Sequence, residues 1–316
     1  MSEAPLSATA PVCYRHPSRE TYVRCTRCDR PICPSCMNVA SVGHQCPDCV
    51  ALGRKTQRSV RTVFGGSTAG AHGYVTISLI VINALMLVVS VLSTHKPGQA
   101  LGGGGLGGVF GGNTPLSDRL SVVGEAAYGY HGSNIVFYLP SGIADGQYYR
   151  LVTAMFIHYG LIHLALNMYA LWVMGRPLEA MLGPVRFLAI YLICGIGGNV
   201  AAYVFSPSAN SAGASTALFG LFGVFFFVLR KLGRSAAGIV PVLVINLIIT
   251  ISVPGISIAG HIGGLITGAV IGYGISRAPQ ARRTQVQTAV LVGVVLILGV
   301  ITVLQTVHLH SLTPPV

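Results

Sequence analysis

Apolar and polar positions fall in long blocks along this chain. After about sixty polar residues, seven apolar stretches can be drawn, at about 74–94, 153–174, 185–205, 214–229, 237–253, 258–276 and 286–306. Most reach the ~17–25 residues that an α-helix needs to cross a bilayer. Stretches 214–229 and 237–253 are shorter, and their neighbours place them as helices inside a bundle. The pattern predicts an all-α polytopic membrane protein with seven transmembrane helices, plus a small N-terminal module. The opening is polar and basic, so no N-terminal signal peptide is expected.

Composition agrees. Of 316 residues, 52% are hydrophobic and 9% charged, outside the range of soluble globular proteins. The net charge of +12 is explained by where it lies. Nine Lys/Arg precede the first stretch, eight follow the second, fourth and sixth, and three (Lys96, Arg119 and Arg150) fall on the other side. This bias predicts a cytoplasmic N-terminus and an external C-terminus, and no nucleic-acid role is needed. Four parts are expected: a cysteine-rich module (1–52), a basic linker able to lie on an anionic leaflet (53–72), a membrane domain (73–306) and a short external tail (307–316). A glycine-rich run over 101–112 interrupts the long external loop and disfavours regular structure there. Arg outnumbers Lys, and Gly and Ala abound. This hints at a GC-rich bacterial genome and hence the plasma (inner) membrane.

The module carries Cys13-x2-His16, Cys25-x2-Cys28, Cys33-x2-Cys36, then His44 and Cys46-x2-Cys49. Each two-residue spacing forms a knuckle that offers two soft donors to one metal. The segment is too small to fold on an apolar core alone, and a reducing cytoplasm argues against disulfides. Two structural zinc ions are expected. The spacing resembles the B-box zinc finger, which binds two zincs in cross-braced order. That resemblance implies that Cys13, His16, Cys33 and Cys36 hold one ion. Cys25 and Cys28 would hold the other with two of His44, Cys46 and Cys49, and Cys46 and Cys49 are favoured. Such modules usually mediate contacts, so a cytoplasmic partner is a further expectation.

In the membrane domain a few polar residues stand out. Ser215, two residues after Gly213, opens one apolar helix, and His261 opens another. A hydroxyl and an imidazole able to meet inside a bilayer suggest a nucleophilic pair, with His261 as general base. Backbone N–H groups at the start of the Ser215 helix suit an oxyanion. Gly264, Gly268 and Gly272 recur every fourth residue, and Thr216 and Gly220 form a matching small pair. Two such faces allow close helix approach and bring His261 toward Ser215. His163 and Asn167, at i and i+4, share one face. They are either an interhelical hydrogen-bond pair or part of the site. After Asp145 the one acidic residue is Glu179, on the cytoplasmic side, and no His-Glu-x-x-His occurs. Aspartyl and zinc-metalloprotease chemistry are therefore not expected, and a catalytic site would be a dyad.

Over residues 73–306 the chain resembles the rhomboid intramembrane serine proteases. The likeness rests on His163-x3-Asn167, Gly213-x-Ser215, His261 with its glycines, and Tyr149-Arg150 in place of the family's Trp-Arg. A seventh helix after the core looks like the six-plus-one form. The resemblance implies a rhomboid-like bundle in which Ser215 is nucleophile and His261 base. His163, Asn167 and the Ser215 N–H would form the oxyanion hole, and Gly213 would allow a tight turn beside the scissile carbonyl. His158 would be a supporting residue on the second span. The substrate would be a transmembrane protein entering sideways from the lipid. Thr216, where the family often has glycine, and Phe219, where it often has tyrosine, depart from the pattern. The alternatives are a catalytically silent rhomboid-like protein that binds membrane clients, and a transporter, which the scarcity of charge within the spans disfavours.

Overall fold

The structure, a computed structural model, describes residues 10–56, 60–102, 112–124, 128–129, 136–137, 142–253 and 255–312. It divides into two units, Met1–Val60 and Arg61–Val316.

The first unit is built from short pieces. Strand β1 (Val12–Cys13) pairs antiparallel with β2 (His16–Glu20), and β3 (Asn38–Val39) with β4 (His44–Gln45). Helix α1 (Pro47–Thr56) follows. Its buried interior is Ile32 surrounded by cysteines, far too little apolar surface to hold the segment together.

The second unit is helical. Its long helices are α2 (Tyr74–Leu92), α3 (Leu161–Leu182), α4 (Pro184–Phe205), α5 (Ser215–Lys231), α6 (Ile239–Ser252), α7 (Ile258–Arg277) and α8 (Arg283–Leu312). Each predicted apolar stretch thus contains a helix, but not all have spanning length. Among the described residues, four helices are long and apolar enough alone, and a fifth span is counted if Arg150–Phe156 and Leu161–Leu182, bent by 94°, are taken as one. The 17-residue α5 and 14-residue α6 extend only about 26 and 21 Å at 1.5 Å per residue. The break before α3 has a local cause. Gly160 takes φ +89°, left-handed territory open mainly to glycine, so the chain turns sharply there. The second apolar stretch is therefore bent rather than one straight helix, and its long helix opens at Leu161.

Two expected boundaries also change. Residues 53–56 complete α1, while 61–72 belong to the helical unit rather than to a linker. Phe64 is buried in its core. A Cβ on Gly66 or Gly70 would strike the backbone carbonyls of Leu182 and Glu179, so the turn Thr68–His72 sits directly on the end of α3. Residues 307–312 are the last turns of α8 and no tail; Leu309 is buried. The glycine-rich run lies largely outside the described residues.

Glu179, fully buried, caps α2. Its carboxylate accepts from the N–H of Val75 (3.0 Å) and of Thr76 (2.8 Å) and from the Thr76 hydroxyl (2.8 Å). A negative charge at a helix N-terminus is favourable, and three donors offset its burial.

The centre is a three-helix contact of α4, α5 and α7 made by small residues. A Cβ on Gly264 would meet the Thr216 carbonyl, and one on Gly268 the Gly220 carbonyl. The glycine face of α7 thus lies on the backbone of α5. We expect Gly268→Ala to destabilise the protein by about 2 kcal/mol, because two rigid backbones must part. Gly293→Ala, where nothing lies within 4 Å, is the control. Thermal unfolding in detergent checks the pair, and equal midpoints would count against the contact.

Candidate active site and metal-binding module

Ser215 is the first residue of α5, and His261 lies in the first turn of α7, whose N-cap Ser257 accepts from the Gly260 N–H at 3.0 Å. The close α5–α7 contact brings these helix starts together. Ser215 Oγ and His261 Nε2 are 2.7 Å apart. Phe219, one turn after Ser215, stacks on the imidazole with centroids 4.1 Å apart and planes 15° off parallel. The ring contact does not depend on the hydroxyl that a tyrosine would add.

The segment before Ser215 is pinned on several sides. Ser211 and Val122 exchange backbone hydrogen bonds at 2.8 and 3.0 Å, and Gly213 N–H donates to the Ala154 carbonyl at 2.9 Å. The Ala214 N–H donates to His158 Nε2 at 3.4 Å. His158 therefore supports this segment, but from the break at 157–160 rather than from a span. Gly213 has φ +126°, and a Cβ there would lie 2.8 Å from His163 Nε2 and 3.4 Å from Ser215 Oγ. Both the backbone and the space require glycine.

His163 and Asn167 sit on the first turns of α3, and both line a cavity of about 510 Å³ with Tyr159, Ser215, Phe219 and His261. His163 Nδ1 accepts the Tyr159 N–H at 3.3 Å. In the neutral ring the proton is then on Nε2, the atom nearest Gly213. Asn167 Nδ2 donates to the His163 carbonyl at 3.0 Å, and the amide's second hydrogen remains as a donor. The structure thus brings Ser215, His163, Asn167 and His261 around one cavity, with Gly213 packed beside His163 and Ser215.

Thr216 keeps close packing because its neighbours are small. A Cβ on Gly198 would sit 2.7 Å from Thr216 Cβ, and one on Gly260 3.1 Å from its methyl. These glycines accommodate the extra side chain.

The sequence names Arg150 and Glu179 without revealing what they hold, and does not single out Thr250. Thr250 Oγ1 lies 2.7 Å from His261 Nδ1, and the same hydroxyl donates to the Asn246 carbonyl at 2.7 Å. Asn246 and Thr250 are i and i+4 in an otherwise apolar stretch, the very signal that singled out His163 and Asn167. Arg150 is 2% exposed. It donates to Gln147 Oε1 (2.6 Å) and to the carbonyls of Asp118 (2.8 Å) and Ser121 (2.9 Å), tying the end of the short helix Pro115–Leu120 to the bent span. Glu179 caps α2.

In the first unit, Cys13, His16, Cys33 and Cys36 converge, as do Cys25, Cys28, Cys46 and Cys49, with each set's ligand atoms within 4.8 Å of one another. The pairs interleave: first with third, second with fourth. His44 belongs to neither set. His16 Nδ1 lies 3.8, 3.3 and 3.4 Å from the sulfurs of Cys13, Cys33 and Cys36, and Cys28 and Cys46 sulfurs are 3.7 Å apart. A tetrahedral ion with Zn–S of about 2.3 Å and Zn–N of about 2.05 Å gives edges of about 3.5–3.8 Å, so both sets fit one. Backbone N–H groups of Cys46 and Cys49 donate to the Cys25 and Cys46 sulfurs at 3.2 and 3.3 Å, an outer shell suited to thiolates. Burial opposes ionisation of Cys13, but backbone hydrogen bonds from Cys33 and Arg15 outweigh it and lower the thiol to about 6.

A Rhomboid domain is matched over residues 145–278, the segment that holds Gly213 and the cavity residues His163, Asn167, Ser215 and His261. The chain is 33% identical over 138 residues to the rhomboid-named protein YdcA of Bacillus subtilis, across 42% of this chain and 69% of that protein. It belongs to the rhomboid family. It is also 43% identical over 146 residues to the rhomboid protease GluP of Bacillus subtilis, across 43% of this chain and 28% of that relative. With the Arabidopsis thaliana RHOMBOID-like protein 6, mitochondrial, it shares 34% over 146 residues, 44% of this chain and 47% of the relative. The chain thus spans about a quarter to a half of these two relatives. A rhomboid with several long apolar helices is a multi-pass membrane protein, and the family is intramembrane-protease-like.

Proposed function

We propose that this rhomboid is an intramembrane serine endopeptidase acting through a Ser215/His261 dyad. The 2.7 Å contact between Ser215 Oγ and His261 Nε2, at the wall of a cavity among apolar helices, carries the reading. His261 Nε2 takes the hydroxyl proton as Oγ attacks the scissile carbonyl carbon. The oxyanion that forms is met by the Ser215 N–H at the start of α5, by His163 Nε2–H and by Asn167. His261 then gives the proton to the leaving amine as the C–N bond breaks, leaving an ester on Ser215. Water, deprotonated by the same nitrogen, attacks that ester and releases a carboxylic acid product and free Ser215.

The substrate class is a single-span membrane protein whose helix unwinds near the active site, because a peptide bond locked in a helix cannot reach Oγ. The charge bias supports a cytoplasmic N-terminus, an external C-terminus and seven crossings, and the excess of Arg over Lys with abundant Gly and Ala supports a bacterial plasma membrane. The B-box-like module would hold two structural zincs, and its cytoplasmic placement suits a protein partner. The two sets of four ligands leave no open coordination position for catalysis.

The proposal is tested by reconstituting the protein in liposomes with a panel of single-span proteins bearing Gly or Pro near one membrane boundary. Cleavage by the wild type and none by Ser215→Ala is expected. A folded wild type that binds panel members without cutting any would support the client-binding reading instead.

A further inference from the structure

Among the described residues, no carboxylate is hydrogen-bonded to the dyad. Glu179, the one acidic residue after Asp145, is committed to the N-terminus of α2. Yet an unanchored neutral imidazole exists as two tautomers, and only the one with its proton on Nδ1 presents a lone pair on Nε2 to Ser215.

Thr250 meets this need. Its hydroxyl has one hydrogen and makes two contacts of 2.7 Å, to the Asn246 carbonyl oxygen and to His261 Nδ1. A carbonyl oxygen can only accept, so the hydroxyl hydrogen goes to Asn246. The contact to the imidazole is then Nδ1–H donating to Thr250 Oγ1, which leaves the Nε2 lone pair facing Ser215. When His261 takes the Ser215 proton, both ring nitrogens carry hydrogens, and the bond to Thr250 becomes charge-assisted. Thr250 is 2% exposed, so water does not readily substitute for it.

The location adds a second consequence. Thr250 is the one buried residue of α6 among its described residues, while its neighbours Ile245, Ile248 and Ile251 are 57%, 57% and 71% exposed. The face bearing Asn246, Ile249, Thr250 and Val253 walls the cavity. The helix most open to its surroundings therefore carries the group that orders the catalytic imidazole.

We propose that Thr250 is a positioning residue: fixed by the Asn246 carbonyl, its hydroxyl holds His261 as the Nδ1–H tautomer, so that the seating of α6 sets whether the dyad can react. This rests on the protease reading for its catalytic consequence but not for the tautomer itself.

Two readouts test it. In detergent-solubilised protein carrying ¹⁵N-histidine, the His261 signals are identified by their loss in His261→Ala. The wild type should show the Nδ1–H form, and Thr250→Val should show a substantial Nε2–H population. The second readout is the rate of covalent modification by a fluorophosphonate. Thr250→Val, which keeps the shape and removes the hydroxyl, should slow it about 30-fold, a share of what general-base catalysis supplies. Thr250→Ser, which keeps the hydroxyl and loses a methyl, should restore the rate to within about threefold of wild type. A packing role predicts the reverse order of the two variants and would overturn the proposal. An Nε2–H wild type would overturn it whether or not the protein cleaves anything. A wild type that shows the Nδ1–H form but never reacts would count against the protease reading while upholding the tautomer lock.

Discussion

Ser215→Ala is expected to lower peptide-bond hydrolysis by about 10⁴-fold or more, since the attacking atom itself is removed. The folded state should be nearly unaffected, because the Ser215 hydroxyl bonds to His261 and α5 is anchored by its glycine contacts further along. His261→Ala should cost about as much activity, with some stability lost as well, because Phe219 loses the ring on which it stacks. The double variant should be no slower than either single one. Nucleophile and base act as one unit, and once one is gone the other has nothing to do. Rates of substrate cleavage in liposomes, paired with thermal midpoints in detergent, check both parts. Additive losses would mean that the two residues do not form a dyad.

The second large effect is expected in the N-terminal unit. Metal removal should unfold residues 10–56 outright. Its interior is Ile32 and the cysteines themselves, so metal binding, worth on the order of 10 kcal/mol in small zinc modules, takes the place of a hydrophobic core. Hydrogen exchange by mass spectrometry should show amides of β1 to α1 protected in the purified protein and unprotected after chelation. Elemental analysis should give two zinc ions per chain, falling to one in His16→Ala and staying at two in His44→Ala. Loss of an ion in His44→Ala would reassign the second set. Protection that survives complete chelation would mean the unit folds by other means.

Much of this architecture is legible in the residue pattern, for identifiable reasons. Apolar stretches reveal helices because a backbone in lipid must satisfy its own hydrogen bonds. The four-residue glycine period of α7 reveals its contact face because only glycine lets two backbones touch. The ligand pairs are visible because two-residue knuckles are local, whereas their interleaved order is implied only by the resemblance to the B-box. What escaped depends on where helices end and on partners distant in sequence. Residues 61–72 look like a basic linker because their role is to present Gly66 and Gly70 to the end of α3, a backbone contact with no side-chain signature. His158 lies in a turn set by the φ of Gly160, which composition does not reveal. Glu179 reads as an ordinary loop-side acid until α2, about a hundred residues earlier, is placed beside it. Thr250 is hidden differently: its i, i+4 spacing with Asn246 is visible, but a hydroxyl in an apolar helix does not mark itself as an orienting group as a carboxylate would.

The most direct test of the central claim needs no substrate. The purified protein is incubated with a fluorophosphonate, and the modified residue is located by peptide mass spectrometry. An activated serine predicts one adduct per chain, on Ser215, absent in His261→Ala although Ser215 is still there. A folded wild type left unmodified, or modified equally well without His261, would contradict it.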